Sequence, residues 1–382
     1  MRDYAICWRS AAVLVAIAAA VGNVCPCANA SQASSRSTRS FRMGFIPFPP
    51  DDTPEAIERV NRFIQANADI VGEQMESVPW TEALSGAPFQ ANLINNWRSR
   101  MEGVPAGAKI YLALNPGRGG LADYWGATEH DPMPAAFQGK TFSDAIVKRA
   151  YLAYCKRAIE YFKPSYVAIG IEVNEILYNA PNRAKDYIEL HEYVYKELKK
   201  SYPNLPIFAS FTLHGLLDDR HPKEDRERDL DLVKDLMPYD DVIAISYYPF
   251  FGNLSDRVDE SLNWLASKFD RYGKPYAVAE TGESAESLTV TVDGKPWKIS
   301  GSPARQADYY RKLFAFADGH RTLFVINFLT IDYDALWKKI AGKSAPVFGA
   351  WQYCGLVDSR GNERPAYKVW KEYFDKPLHE KP

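Results

Sequence analysis

Two glutamates of this sequence end short apolar segments and carry the side chain that acid–base and nucleophilic chemistry needs. Glu175 ends the segment IGIEVNE, and Glu280 ends KPYAVAE. A buried carboxylate is costly unless it is paired, so these placements indicate either function or a buried structural ion pair. Hydrolysis of a glycosidic bond needs a proton donor and a second carboxylate for the anomeric carbon. Glu175 and Glu280 are the predicted catalytic pair.

The elements that must position these glutamates are short apolar runs alternating with segments of helical period. The predicted strands are Phe41–Ile46, Asp69–Met75, Lys109–Leu114, Tyr166–Val173, Pro206–Phe211, Asp241–Tyr247, Tyr276–Ala279 and Thr322–Phe328. The predicted helices are Thr53–Ala66, Gln90–Met101, Thr141–Tyr161, Lys185–Ser201, Arg226–Leu236, Ser255–Tyr272 and Ala304–Asp318. An open doubly wound sheet fits the alternation too, but eight strands with polar clusters after them favour a closed (β/α)₈ TIM barrel. Such barrels place active sites at the C-terminal ends of the strands, where both glutamates lie.

The first thirty residues have the layout of a secretory signal peptide. Arg2 and Arg9 give a basic start, and Ala11–Val21 is apolar but short for a membrane span. Ala28-Asn29-Ala30 offers small residues for cleavage. We therefore expect a secreted or periplasmic protein that is free of the membrane after cleavage, with an uncleaved N-terminal anchor as the alternative.

The remaining chain reads as a linker and one domain. Residues 31–40 are Ser-rich and polar, which predicts a disordered linker, and residues 41–378 hold the predicted barrel. Residues 287–300, SLTVTVDGKPWKIS, predict a β-hairpin inserted after the seventh strand. We expect this hairpin and the long loop 115–140 to form opposite walls of a cleft.

The charge balance argues against a nucleic-acid partner. The net charge is −2 at pH 7, and acidic and basic residues alternate without a basic face. No spacing of Cys and His resembles a metal site, so we expect neither a metal nor another cofactor. Cys155 and Cys354 remain after the leader, and a disulfide between them is open. We expect a monomer whose partner is a poly- or oligosaccharide.

Three motifs resemble a known group of enzymes. Asn174-Glu175 after the fourth strand, with Glu280 after the seventh, resembles the acid/base and nucleophile pair of clan A glycoside hydrolases. The sixth-strand segment 241–250, DVIAISYYPF, resembles the arabinogalactan endo-β-1,4-galactanase family of that clan. Gly355-Leu356 with Arg364-Pro365-Ala366 resembles the closing stretch of many clan members.

The resemblance implies roles for further residues. It implies that Asn174 contacts the sugar 2-hydroxyl and that Tyr247 or Tyr248 orients the nucleophile by a hydrogen bond. Clan members usually carry an arginine near the end of the second strand, but the segment 70–80 has none. That segment offers Glu73, Gln74 and Glu76 instead. The signatures of true galactanases around the third strand are also missing.

The two glutamates should differ in protonation. Partial burial and the nearby charge of Glu280 should raise the pKa of Glu175 and keep it protonated at rest. Hydrogen bonds from a tyrosine should keep Glu280 ionised. Glu175 would then act first as an acid and later as the base that activates water.

Aromatic residues in the loops after the strands are candidates for stacking on sugar rings, whose C–H faces favour flat aromatic surfaces. These are Trp80, Tyr124, Trp125, Trp297, Trp337 and Trp351. His214, after the fifth strand, is a further candidate for the cleft. The alternative for each ring is that it packs against its own loop.

Other carboxylates compete for the catalytic roles. Strand alternation places Glu172 on the same face as Asn174, where we expect a structural hydrogen-bonded role. Loop or supporting roles are expected for Glu73, Glu76, Glu283 and Glu286.

The leading hypothesis is a retaining, endo-acting β-glycanase of the galactanase type. A catalytically inactive barrel that only binds glycans is one alternative, although it should have lost one of the two glutamates. An exo-acting β-glycosidase is another, since cleft and pocket differ only in loop shape. A barrel enzyme for another substrate would show a metal cluster or a phosphate-binding loop.

Overall fold

Residues 38–292 and 294–380 are described by a computed structural model of the chain. The predicted signal peptide and residues 31–37 of the predicted linker lie outside the described residues, as does Asp293 at the tip of the predicted hairpin. Within the described ranges, no helix has the length and apolar character needed to cross a membrane.

Eight parallel strands form a closed ring, as the alternation predicts. They are β1 (Arg42–Phe45), β2 (Ile70–Met75), β3 (Lys109–Leu114), β4 (Tyr166–Ala168), β5 (Ile207–Phe208 and Ser210–Thr212), β6 (Ile243–Tyr247), β7 (Tyr276–Thr281) and β8 (Thr322–Asn327). Each strand pairs with the next along the chain, the first segment of β5 with β4 and the second with β6. Because β8 also pairs with β1, the sheet closes into a (β/α)₈ barrel.

Helices surround the barrel. They are α1 (Pro54–Asn67), α2 (Trp80–Ser85), α3 (Ala91–Gly103), α4 (Ala145–Phe162), α5 (Glu175–Asn179), α6 (Ala184–Ser201), α7 (Leu213–Leu217), α8 (Lys223–Leu236), α9 (Val258–Phe269), α10 (Pro303–Gly319), α11 (Asp334–Ile340) and α12 (Pro365–Phe374). Local signals fix several starts: Thr53 accepts a hydrogen bond from the backbone N–H of Ala56 at 3.2 Å, and Pro54 occupies the first helical position. The short helices α2, α5, α7, α11 and α12 have too few periods for the sequence pattern to predict them.

Strand alternation divides the apolar side chains into two layers. Inward residues of neighbouring strands fill the barrel with a buried cluster, which includes Ile70, Tyr111, Ala244, Ala277 and Phe324. Outward residues of the strands pack against the helices in a larger cluster. The barrel interior is therefore a solid core, and open space for chemistry remains only at its ends.

The fourth strand differs from its predicted extent of Tyr166–Val173, because regular pairing ends at Ala168. At Gly170 an ideal Cβ would lie 1.9 Å from the hydroxyl of Tyr187, so the chain passes against α6 where only glycine fits. Glu172 then adopts a φ of 53°, which is uncommon for a residue with a side chain. The segment is bent as it reaches α5, the helix that begins at Glu175.

The predicted insertion after the seventh strand is an antiparallel hairpin. Its strands are Leu288–Val292 and Lys295–Ile299, and Trp297 pairs with Val290 across it. The hairpin packs beside the 3₁₀ turn Pro346–Trp351 at the C-terminal end of the barrel.

The C-terminal stretch is fixed to this end of the barrel by Arg364. Its guanidinium donates to both carboxylate oxygens of Asp332, at 2.9 and 2.5 Å, and to the carbonyls of Tyr353 and Gly355. Both charged side chains are buried. A buried ion pair that loses one partner leaves an uncompensated charge, which costs several kcal/mol.

Replacing Arg364 with alanine is therefore expected to lower the free energy of unfolding by about 3–5 kcal/mol, measured by urea denaturation. The matched control is Arg360→Ala, because Arg360 is exposed and reaches only Asp358 at 3.6 Å. That control should change stability by less than about 0.5 kcal/mol. Equal losses in the two variants would refute a stabilising role for the buried pair.

Candidate active site

Glu280 reaches the C-terminal mouth of the barrel through a β-bulge in β7. Ala277 and Ala279 both point into the barrel, so simple alternation would turn Glu280 outward toward the helices. The register of β7 against β6 shifts between Val278 and Glu280, which inserts one extra residue. Bulges of this kind redirect a side chain, and here the carboxylate enters the mouth.

Two donors hold the Glu280 carboxylate, one on each oxygen. The hydroxyl of Tyr248 donates to Oε1, and the side-chain amide of Gln74 donates to Oε2. Tyr248 follows Val242, Ala244 and Ser246 at alternate positions of the β6 segment, so it faces inward. Tyr247 is buried toward α10, where its backbone carbonyl accepts from Thr281 and Tyr309. Of the two tyrosines, Tyr248 is the one that bonds to Glu280.

Tyr248→Phe is expected to lower kcat/KM about 10- to 100-fold, because a hydrogen bond to a charged group contributes about 1.5–3 kcal/mol. The bond also lowers the pKa of Glu280, so the acidic limb of the pH–rate profile should move to higher pH. The control is Tyr247→Phe, whose hydroxyl lies away from Glu280 and should leave that limb in place. If the two variants behaved alike, the assigned role of Tyr248 would be wrong.

Glu175 lies at the first position of α5, and its side chain is 39% exposed. Its Oε2 is 3.8 Å from Nε of Arg118. Nη2 of Arg118 is also 3.2 Å from Oε1 of Glu76 and 3.5 Å from Oε2 of Glu172. The segments after β2 and β4 and the end of β7 therefore bring four glutamates around the guanidinium of Arg118: Glu76, Glu172, Glu175 and Glu280.

Burial in this cluster raises the pKa of each central carboxyl group. Burial and the charges of Glu76 and Glu280 raise the pKa of Glu175, while Arg118 lowers it. Burial, then the charge of Glu172, raises the pKa of Glu280 to about 7 against the opposing effects of Tyr248, Gln74 and Arg118. Burial and the charge of Glu175 raise the pKa of Glu172 to about 8. The prediction that Glu280 stays ionised therefore holds only above about pH 7, because its raised pKa lets it take up a proton below that pH.

Asn174 is buried beside Glu175 and bonds to the end of β5. Its amide Nδ2 donates to Oγ1 of Thr212 at 2.8 Å and to the carbonyl of Thr212 at 3.2 Å. Its Oδ1 accepts from the Thr212 backbone N–H at 2.8 Å. Both amide hydrogens are therefore used within the protein, and Asn174 fixes the start of α5; its contact with a sugar stays a prediction.

His214 lies at the mouth and supports Tyr248. Its Nδ1 accepts from the backbone N–H of Tyr248 at 3.4 Å, and its ring stacks on Phe251 at 5.2 Å between centroids. Burial lowers the pKa of His214 to about 3, so the ring is neutral.

The aromatic candidates divide into two groups. Trp80 and Trp125 are buried within the loops after β2 and β3, and the indole of Trp80 donates to the carbonyl of Ala122 at 2.8 Å. These two rings have no free face for a sugar in this structure. Tyr124 is half-buried, and its hydroxyl donates a hydrogen bond to Glu82, so this side chain too is held by its own surroundings.

The second group lies nearer the carboxylates. Trp297 and Trp351 are half-buried and contact Phe251 at 5.0 and 4.7 Å between ring centroids. Trp351 also meets Tyr248 edge-on at 5.5 Å, which connects this aromatic group to Glu280. Trp337, in α11, is half-buried and packs against Gly349.

The rival carboxylates have other partners. Glu73 faces outward and forms an ion pair with Arg100 of α3 at 2.9 Å. Glu283 is buried and accepts from Ser255 at 2.9 Å, and Glu286 pairs with Arg364 at 2.9 Å. Glu76 and Glu172 join the site, because both carboxylates lie beside the guanidinium of Arg118.

Sequence reasoning missed Gln74 and Arg118 as members of the site. Alternation in β2 carries the signal for Gln74, because Ile70 and Gly72 point inward and Glu73 outward. Arg118 lies in a long loop without periodicity, so no sequence signal could place it. Among residues 38–292 and 294–380, no group of His, Cys, Asp and Glu is arranged to hold a metal ion, and both Cys155 and Cys354 are buried free thiols.

Comparison with known proteins identifies related chains. The model of glycosyl hydrolase family 53 matches residues 121–317, which is more than half of the chain and includes both Glu175 and Glu280. No curated protein matches this chain.

Several solved structures share the fold. An exo-β-1,4-mannosidase from Opitutaceae bacterium strain TAV5 has a TM-score of 0.58 at 12% identity, covering 88% of this chain, which spans only 59% of that one. The catalytic domain of an Ignisphaera aggregans family 53 enzyme has a TM-score of 0.54 at 19% identity, covering 83% and 88%. A fungal β-1,4-galactanase has a TM-score of 0.50 at 15% identity, covering 86% and 93%. At these identities the likeness concerns the fold alone.

Proposed function

The chain belongs to glycosyl hydrolase family 53, and we propose that this glycoside hydrolase is a retaining, endo-acting β-glycanase. Glu175 is the proposed acid/base and Glu280 the proposed nucleophile. The observation that carries the proposal is that Glu280, held by Tyr248 and Gln74, lies close enough to Glu175 for its charge to raise the pKa of Glu175. Barrels of this type carry their active sites at that end.

In the first step, Glu280 attacks the anomeric carbon while Glu175 gives its proton to the leaving oxygen. A covalent glycosyl-enzyme forms, and the leaving chain departs with the proton. In the second step, Glu175 takes a proton from water, which attacks the anomeric carbon and releases Glu280. The β configuration is retained because the anomeric centre is inverted twice.

The environments of the two groups support this division of roles. Both oxygens of Glu280 accept hydrogen bonds, which favours a fixed carboxylate aimed into the mouth. Glu175 is more exposed and has no such pair of donors, so its proton is available to a leaving group at the cleft surface. Burial raises the pKa of Glu175, which favours the protonated form that a general acid needs.

For the substrate we propose a β-1,4-linked galactan. The supporting observations are the DVIAISYYPF segment, which carries the tyrosine bound to Glu280, and the membership of family 53. The aromatic group formed by Phe251, Trp297 and Trp351 offers stacking surfaces along one side of the mouth.

The predicted signal peptide supports a proposal about where the enzyme works. We propose that the enzyme is secreted or periplasmic and works as a monomer after cleavage behind Ala30. Mass spectrometry of the exported protein should find Ser31 at the N-terminus. An exported protein that retains its first thirty residues would refute the cleavage.

The substrate proposal is tested by a panel of purified polysaccharides. Reducing ends should appear on β-1,4-galactan, with oligosaccharides of several lengths early in the reaction, and not on β-1,4-mannan or cellulose. Release of single sugars from the start would favour the exo-acting alternative. Binding without any product on the whole panel would favour the inactive glycan-binding barrel.

A further inference from the structure

Arg118 stands on a turn that only glycine can build. Gly117 has a φ of 126°, and an ideal Cβ there would lie 1.9 Å from the carbonyl oxygen of Gly120. The backbone N–H of Gly117 donates to Oδ1 of Asn115 at 3.1 Å. The amide of Asn115 in turn donates to Oε2 of Glu76 at 2.7 Å. The turn and Glu76 are thus fixed to each other.

The same turn contacts the far end of the helix that Glu175 begins. Gly119 has a φ of 98°, and an ideal Cβ there would lie 3.0 Å from Cβ of Asn179 and 3.1 Å from Cβ of Ala180. Asn179 is the last residue of α5, and its amide bonds to the carbonyl of Glu175 at 3.0 Å. The turn therefore packs on the end of α5 while Arg118 reaches back to its first residue.

We propose that Arg118 is a positioning residue for the acid/base: it holds the Glu175 carboxyl group, while Glu76 and Glu172 hold the guanidinium in place. The inference rests on the proposed function, since the position of Glu175 sets the rate only if Glu175 is the acid/base. Arg118 acts through Glu175 rather than on the reacting atoms.

The charges around Glu175 give this role a specific signature in pH. The groups that face it are Glu76 after β2, Arg118 after β3, Glu172 after β4, Glu280 on β7 and Asp229 on α8. Arg118 lowers the pKa of both Glu175 and Glu280, whereas Glu76 raises the pKa of Glu175. Removing Arg118 should therefore move both limbs of the pH–rate profile upward, and removing the charge of Glu76 should move only the alkaline limb downward.

The experiment measures kcat/KM against pH for Arg118→Met, Arg118→Lys and Glu76→Gln. Arg118→Met should move both limbs to higher pH by about 0.5–1 unit, since an opposite charge at this distance shifts a pKa by roughly 1–3 units and the site is partly exposed. Arg118→Lys keeps the positive charge, so both limbs of its pH–rate profile should lie close to their wild-type positions. Glu76→Gln should lower the alkaline limb alone.

A second pair of variants tests the turn without touching any charge. Gly119→Ala places a methyl group against Asn179 and Ala180 at a positive φ, so it should displace Arg118 and shift the limbs as Arg118→Met does. Gly120→Ala is the matched control, because no atom lies within 4 Å of its ideal Cβ. It should leave the profile unchanged.

A direct titration separates this inference from the proposed function. In protein labelled with ¹³C at the glutamate carboxyl carbon, the Glu175 signal is assigned by its loss in Glu175→Gln. Its pKa should rise in Arg118→Met even if the enzyme proves to act on another substrate. A loss of rate in Arg118→Met with unmoved limbs and an unmoved Glu175 signal would overturn the inference, whereas full activity of Glu175→Gln would overturn the proposed function instead.

Discussion

Glu280→Ala is expected to lower kcat on the polysaccharide by at least about 10⁴-fold, because the first step loses the group that forms the covalent bond. Substrate binding should change far less, since KM reports contacts along the whole cleft. The variant should remain folded, because the substitution removes a buried carboxylate and adds no group, and the space it leaves lets Tyr248 and Gln74 bind water. Circular dichroism and the urea midpoint check this.

Azide tests the role of Glu280 more sharply than the loss of rate. In Glu280→Ala the space left by the carboxylate admits azide on the face that the nucleophile occupied. With an activated aryl β-glycoside, azide should restore turnover and give the α-configured glycosyl azide, identified by NMR. The matched control is Glu283→Gln, which alters a buried carboxyl group outside the mouth and should keep the wild-type rate. A β-configured glycosyl azide from Glu280→Ala would show that Glu280 is not the nucleophile.

Glu175→Gln should lower kcat/KM on the polysaccharide by about 10²- to 10⁴-fold, the contribution of a positioned general acid. The loss should depend on the leaving group. An aryl glycoside with dinitrophenolate as leaving group needs no proton, so its glycosylation step should be nearly normal and release of the first product should be fast. Hydrolysis of the intermediate still needs the base and should become rate-limiting.

The pH dependence supplies a second test of the same residue. In the wild-type enzyme the alkaline limb reports loss of the Glu175 proton, and the raised pKa of Glu175 places that limb above the ordinary range of a glutamic acid. The limb should vanish in Glu175→Gln. Azide should then give the β-configured glycosyl azide, because it replaces the water that Glu175 would activate. Equal losses on activated and natural substrates would argue that Glu175 is structural.

The barrel and its two glutamates were predictable because they depend on patterns that repeat. Buried parallel strands appear in the sequence as continuous apolar runs. The strand Lys109–Leu114, for example, has the bounds that the sequence predicts. Glu175 and Glu280 stand out because each ends such a run. The two-residue alternation of inward-facing side chains that begins at Val242 and Ala244 also favours Tyr248 over Tyr247 as the tyrosine that faces Glu280.

The parts that were not predictable depend on local departures from those patterns. The bulge before Glu280 and the bend at Glu172 break the two-residue period, and each needs the three-dimensional neighbours to be recognised. Arg118 enters the site from a loop whose course is set by glycine turns and by packing on α5. The absence of an arginine in the segment 70–80 is explained only in the structure, where Gln74 bonds to Glu280 and Arg118 approaches from β3.

Covalent trapping tests the central claim most directly. A 2-deoxy-2-fluoro β-galactoside with an activated leaving group should inactivate the enzyme, because fluorine slows the second step more than the first and the intermediate accumulates. Peptide mapping by mass spectrometry should then find one fluorosugar on Glu280, and a galactan oligosaccharide should protect against it. A label on Glu172 or Glu175 instead would contradict the account. So would hydrolysis of the natural substrate to a product of inverted anomeric configuration.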